Sequence, residues 1–522
     1  MRQSQSRLVQ FALALLSVSA AGTTLILALR SQWFIHDDAL ISLRYAQNLI
    51  DHGVLHWNVG EPVEGYTNFL FILLCAGLMA VGIGPIAAAQ ILNATALIGI
   101  AATFGSMVRR QTGAAPTFIG LGVAIPSLPL ILWSFGGLEA PLLALWVLLM
   151  CALMLDALTI EPRTGRTLLT ALVAALAYLT RPDAAIFAVV AALYLLVATG
   201  PWRRGIGAAV QFSALFGAVV LAHTLWRFQI YGDLLPNTFY AKATGITGIG
   251  GGQGLAYLTG FTLQPPFIPV LAFAALLIGR ASPARLPLFF CLTAMALYTS
   301  YIARVGGDHM AQYRLFVPLI PLAGLMVAHA IAARTRWTTA VALMLAAALP
   351  AQLLTPAGRT PAEIDPAAFV GTIVGEYIAE SWPPGTSIAL NTAGSAPFLN
   401  PDKQFIDMLG LNDATISRRK VTRLEAPGQI WSGHAKGDGA YVLSRRPDYI
   451  ILGFADGADA AKPVFLSDLE ITRDPRFAEC YERRQTEIPY DPAYQRRGPD
   501  RTNPLVFTYY QRTQTATCVT TE

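Results

Sequence analysis

Two adjacent carboxylates, Asp37 and Asp38, stand just after a long apolar run, Leu8 to Leu29, and the short segment Trp33-Phe34-Ile35-His36. A run of that length crosses a bilayer, so the pair sits where the chain reaches water. Like charges side by side oppose each other's ionisation. Acids in the first turn of a helix also cap it and favour its dipole, but a single Asp would serve that purpose. A carboxylate at a water–lipid boundary can take the proton from an acceptor hydroxyl. With cations to hold a departing phosphate, that chemistry becomes glycosyl transfer.

Other polar clusters interrupt the apolar sequence. They are Glu61-Pro62-Val63-Glu64-Gly65-Tyr66-Thr67-Asn68, Gly136-Gly137-Leu138-Glu139, Arg181-Pro182-Asp183, Tyr231-Gly232-Asp233 through Asn237-Thr238-Phe239-Tyr240-Ala241-Lys242, and Arg304 with Gly306-Gly307-Asp308-His309. Lys242 precedes every other lysine up to Lys403. A loop cation beside aromatic residues suits a lipid phosphate, so Lys242 ranks first among the phosphate candidates, with Arg304, Arg314 and His309 behind it. A snorkelling interfacial lysine is the alternative. Asp308-His309 lacks a second His/Cys pair at ligand spacing, so no metal site is assigned; a divalent metal is possible but unsupported by the sequence, and no cofactor is required. There is no Walker loop, dinucleotide fingerprint or nucleophile elbow, which removes support for a soluble nucleotide donor.

The elements that must position these residues follow from composition. The 522-residue chain is 54% hydrophobic and 13% charged, with mean hydropathy +0.49, far from the composition of a soluble protein. Residues 1–359 hold 20 Lys and Arg against 11 Asp and Glu, and residues 360–522 hold 17 against 21. We therefore expect a polytopic membrane domain over 1–359 and a soluble extracytoplasmic α/β domain over 360–522. No basic patch with interleaved aromatics points to nucleic acid. Apolar runs near 8–29, 66–84, 85–108, 115–135, 138–158, 167–180, 184–200, 205–230, 264–279, 286–303, 313–333 and 338–354 give about twelve candidate spans. About eleven crossings with a cytoplasmic N-terminus, marked by Arg2 and Arg7, put the tail outside. Residues 39–51 carry Ala39, Leu40, Leu43, Ala46 and Ile50 on one face and Arg44, Gln47, Asn48 and Asp51 on the other, which predicts a helix lying flat in the interface.

In the tail the pattern predicts a helix over 369–382 and buried strands at 386–390 and 449–452. Cys75, Cys151 and Cys291 fall in apolar runs and read as core residues. Cys480 and Cys518 form a disulfide if the tail is extracytoplasmic, or else remain two free thiols.

The segments Asp37-Asp38, Arg44-Tyr45-Ala46-Gln47-Asn48-Leu49 and Trp57-Asn58-Val59-Gly60-Glu61-Pro62-Val63-Glu64-Gly65-Tyr66-Thr67-Asn68-Phe69-Leu70 resemble the AftB-type terminal β-(1→2) arabinofuranosyltransferases of the GT-C superfamily. The likeness continues through Gly137-Leu138-Glu139, Thr180-Arg181-Pro182-Asp183, residues 232–242, Gly306-Gly307-Asp308, Asp407-Met408-Leu409-Gly410-Leu411-Asn412-Asp413 and Arg445-Arg446-Pro447-Asp448-Tyr449-Ile450. The resemblance implies a polyprenyl-phosphate sugar donor, a bacterial inner membrane location, an extracytoplasmic active site, and Asp37 or Asp38 as the catalytic carboxylate. Within these motifs Arg44, Tyr66, Asn68, Glu139, Asn237, Tyr240 and Asp308 are the candidates to bind substrate. A glycan or glycoconjugate acceptor is expected against the tail, where Trp431, His434, Asn412 and Tyr441 can stack on or hydrogen-bond to sugars.

The competing reading is a membrane transporter or lipid flippase. That class places repeated halves and polar groups near the bilayer midplane. Here the polar groups gather at the ends of the apolar runs. A binding protein that kept the fold and lost activity is the third reading, which two retained aspartates disfavour.

Overall fold

A computed structural model describes residues 2–159, 164–197, 202–243, 252–264, 285–431 and 433–513. Among these, six helices are long and apolar enough to cross a membrane, from Ser6–Ser31 to Thr335–Leu354. A seventh span is a pair, Ala114–Ala124 and Leu128–Phe135, bent by 61°. Four shorter apolar helices, Phe69–Ala80, Thr164–Thr180, Pro182–Leu196 and Leu319–Ala333, complete the bundle. The run expected at 264–279 lies almost wholly outside the described residues. The protein is thus a multi-pass helical membrane protein that carries a C-terminal sheet domain.

The first helix, α1 (Arg2–Ser31), leads into α2 (Asp37–His52). The cap of α2 is His36, whose Nδ1 accepts the Asp38 N–H at 3.2 Å, so neither aspartate caps it. Gly53, at φ 71°, ends the helix in the left-handed region that glycine adopts without strain. The interfacial reading of α2 needs correction. Arg44 and Asn48, assigned above to a polar outer face, are each only 2% exposed, because the tail covers that face.

The tail opens with helix Pro366–Ser381, capped by Asp365, whose Oδ1 accepts from Ala367 N and Ala368 N. Its sheet has the order β2-β1-β3-β5-β4. Strands β1 (Ser387–Leu390), β2 (Gln404–Asp407) and β3 (Tyr449–Ile451) are parallel, with Ile388 opposite Phe405 and Tyr449. Strands β4 (Tyr481–Ile488) and β5 (Leu505–Arg512) add an antiparallel pair beside β3. The predicted helix at 369–382 and both predicted strands are present. Cys480 is disulfide-bonded, while Cys518 lies outside the described residues.

One apolar core runs through the boundary between the two parts. Leu40, Leu43, Tyr45, Trp57 and Phe71 pack in one cluster with Phe369, Ile373, Ile388 and Phe405. Polar tethers reinforce it. Arg44 donates to the carbonyls of Trp57 (2.6 Å), Asn400 (3.3 Å), Lys403 (3.4 Å) and Pro397, with its guanidinium over the Trp57 and Phe405 rings. Asn58 pairs its amide with both backbone groups of Phe405, giving the outer strand β2 the partner that an open sheet edge lacks. Asn237 donates to the carbonyls of Gly410, Leu411 and Asp413. Arg44 and Asn237 are therefore spent on docking the tail, which corrects their assignment to substrate.

Charge-assisted hydrogen bonds contribute about 1.5–3 kcal/mol each. Arg44→Ala should therefore lower the thermal unfolding temperature and speed tryptic cleavage at Arg359, the basic residue just before the tail. A digestion rate equal to wild type would show that Arg44 does not hold the tail.

Candidate functional site

The two aspartates diverge in the fold. Asp37 is buried, and both of its oxygens are occupied: Oδ2 accepts from Gly394 N at 2.9 Å, and Oδ1 accepts from Ser395 N at 2.8 Å and Ser395 Oγ at 2.6 Å. A side chain at Gly394 would collide with the Asp37 carboxylate, so the approach requires glycine. Burial pushes Asp37 up to about 6, against the lowering effect of its Ser395 hydrogen bonds. Asp38, one residue on, turns into a cavity of about 500 Å³ between the bundle and the tail. Burial raises it too, but the charges of His36, Lys242, His309 and Arg314 outweigh that and bring it down to about 2.

Lys242, from helix Asn237–Ala243, lines this cavity and also a smaller polar pocket of about 60 Å³. Asp38 and Ile41 line both spaces as well. Lys242 is exposed, but its surface faces the cavity, and the surrounding protein still desolvates the ammonium and depresses its pKa. Its nitrogen donates no hydrogen bond among the described residues, in contrast to the arginines around it.

The small pocket is rich in cations. Arg181 lies there, paired with Glu139 at 2.9 Å and Asp183 at 2.8 Å. Asn68 donates to Glu139 at 3.1 Å and to Ser42 Oγ at 3.0 Å. Glu139 is buried, and Arg181 keeps it below the usual carboxylate range despite that burial. Arg314 lines the same pocket, its Nε held by Asp308 at 3.1 Å and its guanidinium 5.6 Å from the Trp133 ring centre. Asp308 also accepts from Tyr257 OH at 2.9 Å, so it positions Arg314 and lines neither space. Tyr66 lines the pocket with its hydroxyl 3.0 Å from that of Tyr231.

The large cavity carries His309 and, from the tail, Trp431 and His434. The His309 and His434 rings lie 4.8 Å apart, and burial lowers His309. His36 Nε2 faces Asp365 Oδ2 at 3.8 Å, so the histidine that caps α2 stands between Asp38 and the tail's first helix.

Several candidates are not brought together here. Arg304 is exposed at the end of helix Arg285–Val305 and lines neither space. Tyr240 donates to Asp233 at 2.8 Å under Arg418, away from both spaces. Asn412 is tied to Asp407 and Tyr45, and Tyr441 to Asp413. Conversely, the site contains Arg181, His36, Asp365, Phe454, Asp456 and Arg501, which sequence reasoning did not select. The charged interruption Arg181-Pro182-Asp183 carried a readable signal for the first. Among the described residues no group of three or more His, Cys, Asp or Glu could hold a metal ion.

Residues 362–506 match a family model described as a domain of unknown function, DUF8728. The chain is 27% identical over 332 residues to the terminal beta-(1->2)-arabinofuranosyltransferase of Mycobacterium tuberculosis, covering 55% of this chain and 51% of that protein. It is 26% identical over 350 residues to the protein of the same name from Corynebacterium glutamicum, covering 58% and 49%. The chain thus spans about half the length of the curated relatives it matches. Among solved structures, ArnT from Cupriavidus metallidurans bound to undecaprenyl phosphate aligns with TM-score 0.53 at 13% identity over 78% of this chain and 89% of that one. Its apo form aligns with TM-score 0.52 at 14% identity, over 78% and 88%. This likeness shows that the chain shares the fold of ArnT.

The two aspartates should separate in a stability measurement. A carboxyl raised by burial favours the folded state when protonated, so its contribution is complete below its ordinary pKa and is lost as pH rises through about 6. Asp407, also raised to about 6 by burial, acts with the same sign. The unfolding temperature of wild type should fall as pH climbs through this window. Asp37→Asn should flatten the fall in part, and Asp38→Asn, which removes only the smallest of the causes that raise Asp37, should change it less. Identical profiles in wild type and Asp37→Asn would refute the assignment.

Proposed function

We propose that this protein is a membrane glycosyltransferase that moves a sugar, D-arabinofuranose, from a polyprenyl-phosphate donor to a glycan acceptor on the extracytoplasmic side of a bacterial membrane. The observation that carries this reading is the position of Asp38 and Lys242, which both line a small cation-rich pocket and a larger cavity. The two arabinofuranosyltransferase relatives support the sugar, and the undecaprenyl-phosphate complex of ArnT supports the donor class. The bonded state of Cys480 favours a tail outside the cytoplasm, because disulfides persist in oxidising compartments.

In this mechanism the donor phosphate enters the small pocket and meets Lys242, Arg181 and Arg314. Its negative charge offsets the cations that depress Asp38, and so returns basicity to that carboxylate once the donor is bound. An acceptor hydroxyl in the large cavity gives its proton to Asp38, and its oxygen bonds to the anomeric carbon. The bond from that carbon to the phosphate oxygen breaks, and polyprenyl phosphate leaves with the electron pair, its charge held by the cations. Arg181 and Arg314 are fixed by their carboxylate partners, whereas Lys242 is free to follow the phosphate.

Asp38→Asn should abolish transfer of radiolabelled sugar from the lipid donor in membranes while the protein still folds. Retention of near-normal turnover would sink the assignment. Lys242→Ala should weaken lipid-phosphate binding by about 1.5–3 kcal/mol, the range for a charge-assisted contact. Removing that cation also lets the Asp38 pKa rise, so the acid limb of kcat/KM should move to higher pH. An acid limb that stays in place, with unchanged donor affinity, would remove Lys242 from the site.

A further inference from the structure

The tail's share of the large cavity comes from one edge of its sheet. Strands β2, β1 and β3 are parallel neighbours, and Leu409 after β2, Thr392 after β1, and Phe454 and Asp456 after β3 all line the cavity. In open α/β sheets ligands collect at the carboxyl ends of parallel strands, where connections diverge from a shared strand. Here β1 is that strand, with β2 on one side and β3 on the other.

The chemistry at this edge is specific. Trp431 and Phe454 remain 38% and 47% exposed, although both are large and apolar. Their ring centres lie 5.8 Å apart with planes tilted by 38°, forming a broken aromatic platform on the cavity wall. Asp456 and Arg501 line the same space, with Nη1 3.5 Å from Oδ2 and 22% and 40% of their side chains exposed. The Arg501 carbonyl accepts from Gln495 at 2.9 Å and from Tyr490 at 3.3 Å, and the Asp456 carbonyl accepts from Thr508 N at 2.9 Å, so both backbones are fixed. The loose pair keeps hydrogen-bonding capacity for a third party.

Charge decides what that party is. The large cavity is lined by five carboxylates, Asp37, Asp38, Asp365, Asp407 and Asp456, against Lys242 and Arg501. Among the charges that line the small pocket, Arg181, Lys242 and Arg314 outnumber Asp38 and Glu139, while Asp183 and Asp308, which hold the two arginines, are not part of its lining. An anion is favoured in the pocket and opposed in the cavity. We infer that the carboxyl edge of the tail's parallel sheet is a subsite for an uncharged glycan, with a sugar ring on Trp431 and Phe454 and neighbouring hydroxyls held by Asp456 and Arg501. The ligand's role as acceptor rests on the transferase reading above, whereas its binding does not.

The test uses the full-length protein in detergent, probed with neutral furanose and pyranose oligosaccharides and with uronic-acid oligosaccharides of matched length. The neutral set should bind in preference to the acidic set. Asp456→Asn, Arg501→Gln and Phe454→Ala should each weaken that binding by about tenfold or more, equivalent to losing one hydrogen bond or stacking contact. Their affinity for polyprenyl phosphate should stay at the wild-type value, which also verifies folding. Binding of acidic glycans alone, of neither set, or of neutral glycans equally by wild type and all three variants would overturn the subsite. Lys242→Ala and Asp38→Asn should keep glycan binding. If Asp38→Asn still transfers sugar while the Asp456 and Arg501 variants lose glycan, the catalytic reading fails and the subsite stands.

Discussion

The carboxylate of Asp37, buried against Gly394 and Ser395, joins two parts of the chain that lie 357 residues apart in sequence. Burying a carboxylate is costly unless hydrogen bonds replace its water. Two backbone N–H groups and one hydroxyl do so here. The same contact holds the first turn of α2 against the loop after β1. Asp38, on the next position, therefore has a direction fixed by its neighbour's burial. The cavity, its lining from the tail and the approach of His36 to Asp365 all depend on that docking.

Around this staple the charges are sorted. Arg181 and Arg314 are neutralised by their own carboxylates, Glu139, Asp183 and Asp308, and are fixed in place by them. Lys242 alone of these cations reaches the cavity without a hydrogen-bonding partner among the described residues. In the transfer proposed above, fixed charges aimed at a place where charge develops would need no reorganisation, and an ammonium without a fixed partner could follow the donor phosphate. The balance of carboxylates and cations reverses between the small pocket and the large cavity, and Asp38 lies at the crossover.

The tail is part of the site's construction rather than an appendage. Its helix Pro366–Ser381 and the strands β1 and β2 share a core with α2 and the helix Phe69–Ala80, and the side chain of Asn58 completes the exposed edge of β2. In a protein built this way the candidate site takes shape only when both parts have folded onto each other. Its polar tethers, each long-range in sequence, give the docked arrangement a defined register.

The sequence by itself determined the membrane class, the helix after Asp365 and the strands at β1 and β3, because apolar runs and their periods are local properties of the chain. It also singled out Asp37, Asp38, Lys242, Glu139 and Arg314, since charged residues are rare in apolar sequence and stand out there. It did not separate the roles of Asp37 and Asp38, which differ only through Gly394 and Ser395. Nor did it distinguish Arg44 and Asn237, docking residues, from those that face the cavity, or find Asp456 and Arg501, ordinary in composition until the fold brings them into the lining of the same cavity as Trp431. Those distinctions belong to tertiary structure, because a polar side chain's function is set by the partner it meets, and the partners lie tens to hundreds of residues away.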